Sequence, residues 1–124
     1  MARPKYNPRT DSNHKIVSEF VKKFKTYGGL PLACRDVSKR GGSMVDWVLC
    51  LGPLTIWLEV KIPEAYASKD CGMTNGELDF FNVWPAPKAL IVIESDITEM
   101  LANWYPVALA LQGIIERKAN EQRR

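Results

Sequence analysis

This chain of 124 residues has no long apolar run, no CxxC pair, no internal repeat and no low-complexity segment. Without about 18 consecutive apolar residues there is no transmembrane helix to expect. The N-terminal stretch MARPKYNPRT lacks the apolar core of a secretory signal. Three cysteines, Cys34, Cys50 and Cys71, are too few and wrongly spaced for a disulfide framework or a zinc site. Cys50, inside an apolar run, reads as a small core residue. These absences point to a cytoplasmic protein with no membrane partner. The length suits one domain over residues 1–124, large enough to bury a core.

What is present is an uneven charge. The net charge is only +3, yet residues 1–29 hold seven Lys or Arg against two acids. Residues 63–105 reverse this, with two against seven, and residues 106–124 return to four against two. Basic ends around an acidic middle suit metal-binding carboxylates flanked by phosphate-binding arms. Taken alone, they describe a solvated surface with charged termini more readily.

The stretch from Arg40 to Ile62 organises the chain. Two apolar runs, Met44 to Leu51 and Leu54 to Ile62, flank Gly52-Pro53, a hairpin pattern. Asp46, Glu59 and Lys61 are the charges inside those runs. Period-two alternation puts Glu59 and Lys61 on one face and Leu58 and Val60 on the other. Pairing of the strands brings Asp46 to the end where Glu59 lies. Two carboxylates and an ammonium gathered there can bind a hard divalent cation and place a lysine near a water or phosphate.

Around this hairpin the patterns predict further elements. Residues 1–11 form a basic arm, in which Pro4 and Pro8 oppose helix. A helix capped by Asp11 or Ser12 runs to about Tyr27, with Ile16, Val17, Phe20, Val21 and Phe24 on one side. Asn13 falls within that apolar arc, as a local cap or as a group aimed at a polar site. Glu19 either pairs with Lys23 or serves the metal. Leu32 to Val37 is a short strand. The loop Lys39, Arg40, Gly41, Gly42 and Ser43 is either an ordinary turn or a basic segment whose glycines admit a phosphate. A loop from Pro63 to Met73, carrying Lys69, adjoins the expected site. Thr74-Asn75-Gly76-Glu77 is a capping box opening a helix, so Glu77 is a cap and a candidate site residue at once. Ala89 to Ile93 reads as a central strand, Ile97 to Tyr105 as a short helix broken at Pro106, and Val107 to Glu121 as a last helix with an apolar stripe.

The order helix–strand–strand–strand–helix–strand, with Asp46 on one strand and Glu59-Val60-Lys61 on the next, resembles the PD-(D/E)xK nuclease superfamily. The resemblance covers residues 11 to 104 and is nearest to the VRR-NUC branch and short phage-type nucleases. Gly42-Ser43-Met44-Val45-Asp46 is similar to that family's approach to its first metal ligand, with Val45 where proline is usual. Leu58-Glu59-Val60-Lys61 matches its second acid and lysine. Met73 to Glu77, with Phe80-Phe81 and Trp84-Pro85, is similar to the segment opening its next helix. The family often has a glutamine on that helix, where this chain has Glu77 and Leu78.

The resemblance implies an α/β, restriction-endonuclease-like core: a small mixed sheet of about four strands flanked by helices, with a C-terminal extension over residues 106–124. It implies a Mg²⁺-dependent nuclease acting on DNA, with Mn²⁺ as a substitute. Asp46, Glu59, Lys61 and Glu77 become the catalytic set, and Asp46, Glu59 and the Val60 carbonyl the metal ligands. Lys39, Arg40, Gly41, Gly42, Ser43 and Lys69 become nucleic-acid contacts, with Asn13 and Glu19 as accessories. It also implies the host cytoplasm for a phage-encoded chain. Two other readings use the same residues: a nucleic-acid-binding module without turnover, and an interaction protein that forms a homodimer through its C-terminal helix.

Overall fold

The structure, a computed structural model, describes residues 15–37, 46–83 and 85–123. The basic arm, Asn13, Trp84 and the segment from Lys39 through Ser43 to Val45 lie outside those residues. In chain order the elements are α1 (Ile16–Lys23), β1 (Thr26–Tyr27), β2 (Leu30–Asp36), β3 (Trp47–Leu51) and β4 (Leu54–Val60). Then come α2 (Pro63–Tyr66), a 3-10 turn (Lys69–Gly72), α3 (Asn75–Val83), β5 (Lys88–Ile91) and α4 (Glu94–Gln122).

The strands form one five-stranded mixed sheet in the order β1-β2-β3-β4-β5. Strands β1 to β4 pair antiparallel, and β5 pairs parallel to β4. The β3–β4 hairpin turns through Gly52-Pro53, with Leu51 opposite Leu54 and φ of +55° at Gly52. Alternation along β4 divides the sheet into two faces. Leu54, Ile56, Leu58 and Val60 point into the core, with Leu49 and Leu51 beside them on β3. Helices α1 and α4 cover that face with Val17, Phe20, Ile97, Met100 and Leu101. Each large aliphatic side chain buried there contributes about 1.5–3 kcal/mol. The other face carries Thr55, Trp57 and Glu59, and α3 stands over part of it through an edge contact of Phe80 on Trp57.

Several boundaries differ from the sequence reading. The first helix stops at Lys23, because Phe24 is already extended and residues 26–27 join the sheet. Gly28-Gly29, just past the expected helix end at Tyr27, is a two-residue hairpin loop, with φ of +54° and +84°. Positive φ at both positions suits the twist of a tight hairpin. β5 is an edge strand rather than a central one. It reads as apolar because α4 packs against it and its Lys88 lies over the Phe81 ring of α3. Cys50 is half-buried on the outer face, its sulfur 3.9 Å from Thr55 Oγ1, and is not a core residue. The stretch from Pro63 to Met73 holds α2 and the 3-10 turn where a loop was expected.

The largest difference is at the C-terminus. Pro106 lies inside one continuous 29-residue helix rather than between two. Proline removes one N–H and displaces the carbonyl four residues back. Here Pro106 and Ala102 are both exposed, so the displaced carbonyl lies on the solvent side of the helix, which continues.

Tyr105 fastens α4 to the β1–β2 hairpin by donating a hydrogen bond to the Gly28 carbonyl at 2.8 Å. Its ring occupies the space a Cβ on Gly28 would need, whereas nothing stands near Gly29. Gly29→Ala should cost about 1–2 kcal/mol from the left-handed backbone alone. Gly28→Ala should cost about 1–3 kcal/mol beyond that, because the tyrosine must move. Urea unfolding of the two variants checks the order, and equal losses would show that the Tyr105 contact carries no weight.

Candidate metal centre

The site lies at the end of the sheet away from the Gly52-Pro53 turn. Trp47 opposite Leu58 is the last backbone pair of β3 with β4. One residue further, Asp46 comes beside Glu59, and the Val60 N–H has no backbone carbonyl on β3 to meet. The Asp46 side chain takes that place: Val60 N donates to Asp46 Oδ2 at 3.0 Å. Ending the strand at a carboxylate therefore satisfies a buried amide and fixes the acid in position.

Glu59 is fully buried on the outer face, and Asp46 is only 8% exposed. Lys61, two residues along the same face, brings its Nζ to 3.3 Å from Glu59 Oε1 and 3.5 Å from Glu77 Oε1. Glu77 arrives on the first turn of α3 through the expected capping box. Its backbone N–H donates to Thr74 Oγ1 at 3.2 Å, and its Oε1 accepts from Thr74 N at 2.9 Å. The cap that starts the helix thus also aims the glutamate at Lys61 and the other two acids. One ligand oxygen from each of Asp46, Glu59 and Glu77 lies within 4.8 Å of the others.

Three acids so close repel one another unless a positive charge or a proton separates them. Burial pushes the Glu59 carboxyl up to about 10, with the hydrogen bond to Glu77 and the charges of Asp46 and Glu77 adding to it and Lys61 opposing. Burial also works to raise Glu77, but the hydrogen bond with Glu59, the Thr74 amide and Lys61 outweigh it and hold Glu77 below its ordinary value. Burial disfavours the charged Lys61, yet Glu59 and Glu77 together raise it. With Glu59 raised and Glu77 lowered, Glu59 is the one of the two acids that holds a proton more readily.

As a carboxylate, Glu59 has two buried oxygens that no hydrogen-bond donor satisfies; Lys61 pairs with one by charge, off the direction of a hydrogen bond. A divalent cation fits that lack. The donor set is all oxygen, which suits a hard ion. The cluster of Asp46, Glu59 and Glu77 can hold a metal ion.

Other expected site residues are placed elsewhere. Glu19 does not reach the cluster: α1 packs on the opposite face of the sheet, and Glu19 is exposed there. Nor is it the partner of Lys23, which instead sits 4.0 Å from Glu94, a surface pair worth little. Lys69 is exposed on the 3-10 turn. Asn13, Lys39, Arg40, Gly41, Gly42 and Ser43 lie outside the described residues. The described cysteines are free thiols. Among the described residues no helix is long and apolar enough to cross a membrane. No protein-family model, curated protein or solved structure matches this chain.

A protonated, buried Glu59 makes stability depend on pH in a definite direction. Its folded value lies above its ordinary 4.5, so the folded state holds the extra proton between 4.5 and about 10. Stability is fully present below the lower value and falls as pH rises toward the upper one. Urea unfolding in EDTA should show this decline. Glu59→Gln should flatten it, stabilise the metal-free protein at alkaline pH by about 1–4 kcal/mol, and weaken divalent-ion binding. An unchanged pH slope in Glu59→Gln would refute the proton on Glu59.

Proposed function

We propose that this protein is a metal-dependent nuclease that hydrolyses DNA phosphodiester bonds, built on the PD-(D/E)xK pattern. The observation that supports it is the meeting of Asp46, Glu59 and Lys61 with Glu77 at one end of the sheet, their acid oxygens within 4.8 Å. Mg²⁺ is the proposed ion, with Mn²⁺ as substitute. Asp46 and Glu59 are the proposed ligands, Glu77 lies close enough to join them, and the Val60 carbonyl is a further proposed ligand.

When bound, the ion supplies a water of lowered pKa and positive charge to offset the growing negative charge on phosphorus-bound oxygens. The protein's own groups do the positioning. Val60 N–H holds Asp46 in one orientation, and the capping box holds Glu77. Lys61, partly exposed between Glu59 and Glu77, reaches outward far enough to orient a water or to donate to a phosphate oxygen. The proposed setting is the cytoplasm, where a reduced thiol state and free Mg²⁺ coincide.

A cleavage assay on labelled single strand, duplex, flap and four-way junction, with Mg²⁺, Mn²⁺ or EDTA, tests the proposal. Wild type should cut only with metal. Asp46→Ala and Lys61→Ala should each lose about 100-fold or more while keeping the wild-type circular dichroism. Full activity in folded Asp46→Ala would sink the nuclease. Salt-sensitive binding without cutting would move the assignment to a non-catalytic binding module.

One observation favours an additional homodimer. On α4, Ile97, Leu101, Trp104 and Ala108 follow a four-three spacing against the domain, and Leu111 and Ile115 continue it beyond. Val107, Leu111, Ile114 and Ile115 are 43%, 36%, 46% and 51% exposed. An apolar stripe at this spacing is what a second helix covers. Arg117, Lys118 and Arg123 near the end would repel in a parallel pair, so the antiparallel arrangement is proposed. Sedimentation of wild type should show a concentration-dependent dimer, and Leu111→Glu/Ile115→Glu should be a folded monomer. A wild type that stays monomeric at every concentration would remove the homodimer and leave the nuclease standing.

A further inference from the structure

Among the described residues, the outer face of the sheet is only partly covered. Over the β4–β5 half, Phe80 packs on Trp57 and Phe81 lies under Lys88. Over the β2–β3 half lies a depression of about 300 Å³ lined by Ala33, Cys34, Arg35, Val48 and Cys50. The strand registers put this floor in line with the carboxylates. Arg35 pairs with Val48, Val48 with Trp57 and Trp57 with Lys88, so those four side chains form one row across the sheet. The next row on the same face begins at Val37, whose N–H donates to the Asp46 carbonyl at 2.9 Å, and continues through Asp46 and Glu59 to Leu90. Arg35 is thus a diagonal neighbour of Asp46, about 7–8 Å away between α-carbons.

Arg35 is exposed, and among the described residues it makes no ion pair. The other described arginines, Arg117 and Arg123, lie on α4 and at its C-cap. Among the described residues nothing around it explains an arginine structurally: its row neighbour is the apolar Val48, and its flanking outer-face residues are Ala33 and Val37. A guanidinium offers a planar fork of donors that matches a phosphate, and the half-buried Val48 and Cys50 beside it offer an apolar floor for a sugar or base.

We infer that Arg35 and the β2–β3 floor form a nucleic-acid backbone subsite beside the carboxylate cluster, in which Arg35 binds a phosphate adjacent to the one cleaved. The inference rests on the nuclease reading, and it adds the direction in which the strand leaves the site: across β3 and β2, away from α3. Arg35 is a binding and positioning residue, since it touches no reacting atom.

The test compares wild type, Arg35→Ala, Arg35→Lys and, as a loss of equal charge at the far end of the molecule, Arg117→Ala. Binding of a short mixed-sequence DNA duplex is measured in EDTA across a salt series, and cleavage is measured with Mg²⁺. Arg35→Ala should weaken binding about tenfold and lower the slope of log affinity against log salt by about 0.9, the value of one phosphate contact. It should raise KM and leave kcat near wild type. Arg35→Lys should restore the slope but only part of the affinity, and Arg117→Ala should leave both unchanged. Wild-type slope, affinity and KM in Arg35→Ala, with the parent still cutting, would overturn the subsite alone. A wild type that neither cuts nor binds DNA would overturn the nuclease reading and the subsite with it. Equal losses in Arg35→Ala and Arg117→Ala would reduce the effect to net charge and overturn the subsite.

Discussion

A fully buried carboxylate on a β-strand is the constraint to which the rest of this structure answers. Taking an ionised Glu59 out of water without a partner would cost more than a small domain can offset, since net stability is about 5–15 kcal/mol. The fold therefore surrounds it with alternatives: a proton, the Lys61 ammonium, or a metal ion held jointly with Asp46 and Glu77. Each is mutually exclusive or competitive with the others near the two Glu59 oxygens. Such a site is held in tension by its own charges, and a hard divalent cation relieves that tension most directly. Had the same position evolved only for stability, a leucine would fill it at no electrostatic cost.

The supporting elements can be read as consequences of that one placement. Strand β3 stops one residue early, so that Asp46 uses its side chain where a backbone carbonyl would otherwise sit. Helix α3 starts with a glutamate whose carboxylate is pinned by Thr74 before it faces Lys61. These are short, local devices, and neither depends on a flexible side chain finding its place. Asp46 is fixed by a strand end, Glu77 by a helix start, and Lys61 by alternation from Glu59. Three independent pieces of secondary structure thus converge on one point, with the acid oxygens within 4.8 Å of one another.

That convergence explains how much was legible beforehand. Period-two alternation around Gly52-Pro53 was enough to place Asp46, Glu59 and Lys61 at one end of a hairpin, because strand geometry leaves little freedom over seven residues. The Thr74-to-Glu77 spacing was enough for the cap. Errors arose where a local pattern had two physical outcomes. Gly28-Gly29 ends a helix or turns a hairpin, and the pairing of Thr26 and Tyr27 with β2 decided it. Pro106 breaks a helix unless the carbonyl it displaces is in water, which the sequence does not tell. An apolar β5 looks central because apolarity reports covered faces, and an edge strand covered on both faces looks the same. Cys50 and Glu19 were misjudged for one shared reason: hydrophobic periodicity says which residues share a face, and not which face meets the other helices.

The two ends of the sheet have different properties, and α4 connects them. It begins just after β5, beside the carboxylates, and runs back along the core face to the β1–β2 hairpin, where Tyr105 meets Gly28. Its last turns continue past Ala108, the final buried residue, for some 14 residues or about 21 Å. Whatever covers the apolar stripe there does so far from Asp46 and Glu59. The outer face, by contrast, is continuous from the carboxylates across Val48 to Arg35, and among the described residues no helix stands on its β2–β3 half. The proposed assembly through the helix end and the proposed contact with a polyanion through the outer face therefore compete for no surface. In a chain this small the two surfaces stay apart because one long helix, unbroken at Pro106, carries the apolar stripe past Ala108.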